Sequence, residues 1–252
     1  MRALTILFFL VLNGMLFAQN ETLFEQGNKL YNEGKYAEAI DKYEAILKTD
    51  QHSAELYFNL ANSHYKLSNV APSVYFYEKA LQLKPKDRDI LNNKAFANNM
   101  TVDDIEVLPE VGLSKFVRKA STSMTFDSWA KLTVALVIIF VVLVLLYYFS
   151  YSTNKKRLAF VGSFIALFLT ITSLGFSFHN FNLQKTNNPA IVFAQESQVK
   201  SEPNLRSNEA FTIHEGTKVQ VLDTVNNWKE IKLADGKTGW IIGEDIRLLN
   251  DI

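Results

Sequence analysis

The sequence has no cysteine in its 252 residues. That excludes disulfides, thiolate metal sites and a cysteine nucleophile. It also excludes a lipoprotein anchor, which is attached to a cysteine at the processing site. Neither sign of charge is in excess, with 26 basic and 26 acidic residues, so nothing recommends nucleic acid as a partner. Histidine is scarce as well. His52, His64, His179 and His214 are scattered without metal-ligand spacing, so neither a metal nor another cofactor is expected. No phosphate-binding P-loop and no G-x-S-x-G elbow occurs, and no catalytic residue stands out. The chain reads as a binding protein and not as an enzyme.

What it does have is apolar sequence gathered into three blocks. The first is "MRALTILFFLVLNGMLFAQ", in which Arg2 precedes an apolar core and Ala18 offers a small residue before a cut. This is the layout of a secretory signal peptide over residues 1–18. The second and third blocks cover 132–149 and 158–178 and contain no charged residue. Each has about the length needed to cross a hydrocarbon core of roughly 30 Å as a helix. Trp129, Tyr147, Tyr148 and Tyr151 flank the first of them, where amphipathic rings favour the interface. The short segment 150–157 carries Lys155, Lys156 and Arg157, which favour the cytoplasmic side. An exported N-terminus then puts the polar regions before and after the hairpin on the periplasmic face of the inner membrane. In the second span Gly162 and Ala166 form a small-xxx-small pair that would let another helix approach closely.

Residues 20–53 align with 54–87 without a gap. Gly27 falls on Ala61, Leu30 on His64, Ala39 on Ser73, Tyr43 on Tyr77 and Leu47 on Leu81. The small residues allow two antiparallel helices to touch, the tyrosines fill the gap to the next unit, and Pro85 ends a helix. This pattern resembles the tetratricopeptide repeat, which has a period of about 34 residues. His64 then occupies a packing position. The expectation is an all-α superhelix over 20–100, closed by a solvating last helix. The resemblance implies a groove lined by the first helix of each unit. That implies Phe24, Asn28 and Tyr31 in one unit and Phe58, Asn62 and Tyr65 in the next. Aromatics and amides there suit an extended peptide or a partner helix, although the same residues also serve simply to pack the repeat.

The linker 101–131 begins acidic (Asp103, Asp104, Glu106, Glu110). It then places Leu113, Phe116, Val117 and Ala120 at helical spacing, opposite Lys115, Arg118 and Lys119. A helix lying on the membrane surface fits that pattern, as does a plain solvated helix. After the second span the sequence alternates apolar and polar residues between turn signals, with Asp235-Gly236 marking a hairpin. The run "HEGTKVQVL…NWKEIKLADGKTGWI" resembles a bacterial SH3-like small barrel over 190–250. Trp240 is expected in its core, and Trp228 is a candidate for a ligand groove.

The order of parts describes a multidomain membrane protein: tetratricopeptide repeats, two transmembrane helices and an all-β SH3-like barrel. With "TVDDIEVLPE" directly after the repeats, it resembles the BatE-type proteins of the Bacteroides aerotolerance operon. That resemblance implies a non-catalytic adapter in an aerotolerance or envelope-stress complex. Its implied partners are membrane proteins with von Willebrand factor A domains, alongside a MoxR-type ATPase in the cytoplasm. A cell-wall sensor that binds peptidoglycan through the barrel is the alternative.

Overall fold

A computed structural model of the chain describes residues 19–106 and 112–250. The expected export signal, residues 1–18, lies outside the described residues, as does Glu110 of the linker. The described residues divide into two compact units, one made of 19–106 with 188–250 and the other of 112–187.

The first unit opens with antiparallel helices α1 (19–32), α2 (Tyr36–Leu47), α3 (Ala54–Lys66), α4 (Val70–Leu83) and α5 (Arg88–Asn98). The repeat is visible in its punctuation. Ser53 caps α3 by accepting from the Leu56 N–H, and Asp87, one period on, caps α5 by accepting from Asp89 and Ile90. Each cap satisfies backbone donors that a helix start leaves open. The α1–α2 and α3–α4 turns use left-handed backbone at equivalent positions, Gly34 and Ser68. Close packing sets the small residues. A Cβ on Gly27 would fall 2.5 Å from the Tyr43 ring. In the second unit the buried Ser73 hydroxyl donates to the Ala61 carbonyl at 3.1 Å.

Strands β1 (Asn188–Val192), β2 (Glu196–Lys200), β3 (Glu209–His214), β4 (Lys218–Val225), β5 (Trp228–Lys232), β6 (Thr238–Ile242) and β7 (Ile246–Leu248) form one seven-stranded sheet. All its pairings are antiparallel, in the order β3-β2-β6-β5-β4-β1-β7. The order is open, with β3 and β7 at its ends, so the expected closed barrel is instead an SH3-like sheet that does not close. The β5–β6 hairpin turns at Asp235-Gly236, where Gly236 takes φ 92° and the Leu233 N–H reaches the Lys237 carbonyl.

This sheet and the helices share a core. Ile191 and Leu249 are buried in the same cluster as Tyr57, Val74, Tyr77 and Ile90. Tyr75 of α4 donates its hydroxyl to the Leu248 carbonyl at 3.2 Å and meets Phe193 edge-on. The stretch after α5 is equally committed. Asp103 accepts from the His214 N–H (2.7 Å), the His214 ring (2.8 Å) and the Thr217 hydroxyl (2.5 Å), and Ile105 packs on the sheet core. The acidic start of the linker is therefore part of the folded unit.

The second unit contains α6 (Leu113–Ser121), α7 (Phe126–Phe149) and α8 (Thr153–Thr186). α7 and most of α8 are long and apolar enough to cross a membrane. Both helices extend beyond the apolar runs. Only Ser150 to Ser152 connect them, so Lys155, Lys156 and Arg157 sit in the first turns of α8 and not in a loop. Small α8 residues at 159, 163, 166 and 173 are buried, and the Ser173 hydroxyl donates to the Trp129 carbonyl at 2.9 Å. A Cβ on Gly162 would stand 3.3 Å from Leu143 of α7. The Gly162/Ala166 pair thus lies where α7 and α8 approach closely, so the other helix it admits is α7. Close approach of backbones is what small residues permit in a membrane, and the nearest helix has already taken it.

Candidate functional site

The six groove candidates fall into two equivalent sets. Asn28 Oδ1 accepts from the Tyr43 hydroxyl and from the Asn59 side-chain amide, both at 2.8 Å. One period later Asn62 Oδ1 accepts from Tyr77 (2.5 Å) and Asn93 (2.9 Å). Each asparagine therefore ties the second helix of its own unit to the first helix of the next. Burial pushes the Tyr43 hydroxyl up to about 12 and Tyr77 higher still, so both remain donors at any ordinary pH. Phe24 lies 5.9 Å from the Tyr43 ring, and Phe58 lies 6.1 Å from Tyr77. These four candidates brace the repeat. Tyr31 and Tyr65 are half-buried; Tyr31 meets Tyr36 edge-on, and burial raises its hydroxyl pKa.

The same ends of the two units form clefts at equivalent positions. Phe24 lines one of about 620 Å³, and Phe58 lines one of about 170 Å³. Glu21 and Asp50 of the first correspond to Glu55 and Lys84 of the second. In the second cleft Lys84 forms an ion pair with Glu55 across the gap. The first cleft has Asp50 where that cation would be, and its rim is carboxylate-rich. Such a rim favours a basic group on an incoming chain.

On the sheet, register places Trp228 beside Ile242 and Glu230 beside Trp240. Gly239 and Ile241 point inward and are buried, so Trp240 and Ile242 point outward and are half-buried. Trp240 is therefore not a core residue, a correction to the expectation above. Alternation on a strand leaves it no other direction once Ile241 faces the core. Trp228, Trp240 and Ile242 together give β5–β6 an apolar outer face.

The residues that fasten sheet to helices were not legible as a site. Glu78 is 6% exposed and accepts ion pairs from Lys94 (2.5 Å) and Lys218 (2.9 Å). Burial alone would raise its pKa, but the two ammoniums outweigh that and hold it below the usual carboxylate range. Asp103 is lowered in the same way, burial being outweighed by the Thr217 and His214 hydrogen bonds. Among the described residues no cluster of His, Cys, Asp and Glu is arranged to hold a metal ion.

Residues 27–68 match the family described as TPR repeat, and 54–87 match Tetratricopeptide repeat. Residues 197–247 match Bacterial SH3 domain. The chain thus carries two kinds of module used for binding, beside two helices able to span a membrane. No curated protein matches it.

Proposed function

We propose that this chain is a non-catalytic membrane-anchored adapter of the BatE type. Its repeats and SH3-like sheet are held on the periplasmic face of the inner membrane by the α7–α8 hairpin. The observation that carries this reading is the shared core of the two modules: Ile191 and Leu249 of the sheet region lie in one cluster with Tyr57 and Tyr77 of the repeats. Two binding surfaces joined rigidly present their ligands at fixed spacing, which raises the effective concentration of one partner once the other is bound. Membrane proteins with von Willebrand factor A domains, in an aerotolerance or envelope-stress complex, are the proposed partners. Tyr31 and Tyr65 are the groove residues left most free of framework duty, so they are assigned to partner contact.

The test is recovery of the full chain from gently solubilised membranes after cross-linking. The pair Tyr31→Ala and Tyr65→Ala should deplete the co-purifying membrane proteins while leaving the chain's own yield intact. An unchanged partner set would remove the groove from the proposal. The outward Trp228, Trp240 and Ile242 favour a second reading, in which the sheet binds peptidoglycan peptides. Sedimentation of the detergent-solubilised chain with purified cell wall decides it, Trp228→Ala being the control.

A further inference from the structure

Helix α6 carries Lys115, Arg118 and Lys119 along one side and no acidic residue anywhere. At 100° per residue these three fall within about 100° of arc. Val117, Ala120 and Ser121 turn inward, with Ser121 fully buried, whereas Phe116 is 69% exposed. A bare phenylalanine beside a cationic face is an arrangement that water does not favour and a lipid headgroup layer does.

The position of α6 is fixed by hydrogen bonds at its C-terminus. The Trp129 indole N–H donates to the Ser121 carbonyl at 2.7 Å. The Asn180 amide donates to Ser121 (2.7 Å) and to Met124 (3.0 Å). Trp129 belongs to the first turn of α7 and Asn180 to the last part of α8, so α6 is tied to the shared end of the hairpin. If the hairpin crosses a bilayer, that end is where hydrocarbon gives way to headgroups. Trp129 itself is a residue type that prefers this depth.

We propose that α6 is a lipid-binding element that docks on anionic phospholipid headgroups of the bilayer crossed by α7 and α8. Phe116 inserts at the acyl boundary while Lys115 and Lys119 meet phosphate. The proposal rests on the spanning reading of the hairpin, and it assigns to the linker a function separate from either binding module. Charge complementarity selects the occupant: a cationic helix face against an anionic surface gains about fivefold in binding for each charge near the surface.

Because the chain has no cysteine, single cysteines report position without background. The full chain is placed in nanodiscs of phosphatidylcholine, with or without phosphatidylglycerol, and labelled with a charged, membrane-impermeant thiol reagent. Three variants are compared: Phe116→Cys, Leu145→Cys on the exposed face of α7, and Leu205→Cys on the exposed surface of the SH3-like region. Leu205→Cys should label fast and Leu145→Cys hardly at all. Phe116→Cys should be protected in the anionic discs, several-fold more than in phosphatidylcholine alone. Adding Lys115→Gln and Lys119→Gln, or raising the salt, should abolish that difference. Rapid labelling of Leu145→Cys would overturn the spanning reading itself. With Leu145→Cys protected, labelling of Phe116→Cys at the Leu205→Cys rate in both lipids would overturn the docking of α6. Equal protection in both lipids, unaffected by the lysine changes, would overturn its selection of anionic headgroups.

Discussion

The two tetratricopeptide units are built on one plan and finished differently. Both use a tyrosine hydroxyl and a following asparagine to hold the next unit in place, Tyr43–Asn28–Asn59 and Tyr77–Asn62–Asn93. Their second helices, α2 and α4, then diverge. α4 supplies Tyr75 and Glu78 to the sheet, whereas Asp41 and Glu44 stand at those positions on α2 and no hydrogen bond or ion pair to the sheet is found for them among the described residues. The clefts diverge in the opposite sense, the second being bridged by Lys84–Glu55 and the first left open with Asp50. A repeat that tolerates such different surfaces over one frame separates stability, which the frame supplies, from recognition, which each unit varies.

That separation can be broken most forcefully at Glu78. Glu78→Ala removes the buried carboxylate that Lys94 and the half-exposed Lys218 share at the docking face. It should cost about 3 kcal/mol, since two charge-assisted hydrogen bonds are lost while water still reaches the ammoniums. Glu44→Ala at the equivalent place on α2 should change stability by no more than about 0.5 kcal/mol. Urea titration of both variants measures the contrast, and similar losses would mean that the sheet is not held through α4.

The pH response should also belong to one unit. Burial among aromatic rings pushes His64 down from 6.5 to about 4, with Arg247 adding to the effect. The unfolded chain therefore takes up a proton below pH 6.5 that the folded chain refuses, so stability falls as pH drops from 6.5 towards 4. The loss amounts to about 3 kcal/mol at most over that window. Glu78 and Asp103, both lowered, contribute stability that is full above the usual carboxylate range and is lost only as pH falls through their depressed values. Leu30 fills the His64 position in the first unit. His64→Leu should accordingly flatten the thermal midpoint between pH 6.5 and 4 while leaving the steeper acid limb in place.

Exchange of the paired small residues is expected to have a smaller effect. Gly27→Ala drives a methyl to 2.5 Å from the Tyr43 ring and should cost about 1–3 kcal/mol. The second unit already accommodates Ala61 at this place. If calorimetry finds Gly27→Ala harmless, the two frames are more alike than the packing says.

The smallest effect on stability, and the sharpest on recognition, is expected from Asp50→Lys. It installs in the first cleft the cation that Lys84 supplies in the second, on an exposed turn where Asp50 takes φ 59°. Lys tolerates that left-handed conformation less well than Asp, so a loss of no more than about 1 kcal/mol is expected. Binding of a lysine-rich peptide, followed by fluorescence anisotropy, should weaken with this variant. Unaltered binding would show that the open first cleft does not select basic chains.

Much of this was legible in sequence. The repeat phase, the helix-ending Pro85, the Asp235-Gly236 hairpin and the two long apolar runs are local signals, because each depends on residues a few positions apart. Asn28 and Asn62 were legible as positions but not as roles. Whether an amide on a groove helix waits for a ligand or braces its neighbour depends on Asn59 and Asn93, each 31 residues away. Trp240 was misjudged because large aromatics favour cores in general, while its direction follows from which neighbour, Ile241, faces inward.

The sequence by itself determined the list of parts and their order: periodicity and apolar run length are properties of short windows and survive whatever surrounds them. Only the tertiary structure decided that Asp103 reaches His214, that Glu78 gathers Lys94 and Lys218, and that Gly162 and Ala166 are taken up by α7. Those choices join residues distant along the chain, and they are set by which buried charges and small side chains find complements, a condition that no local pattern encodes.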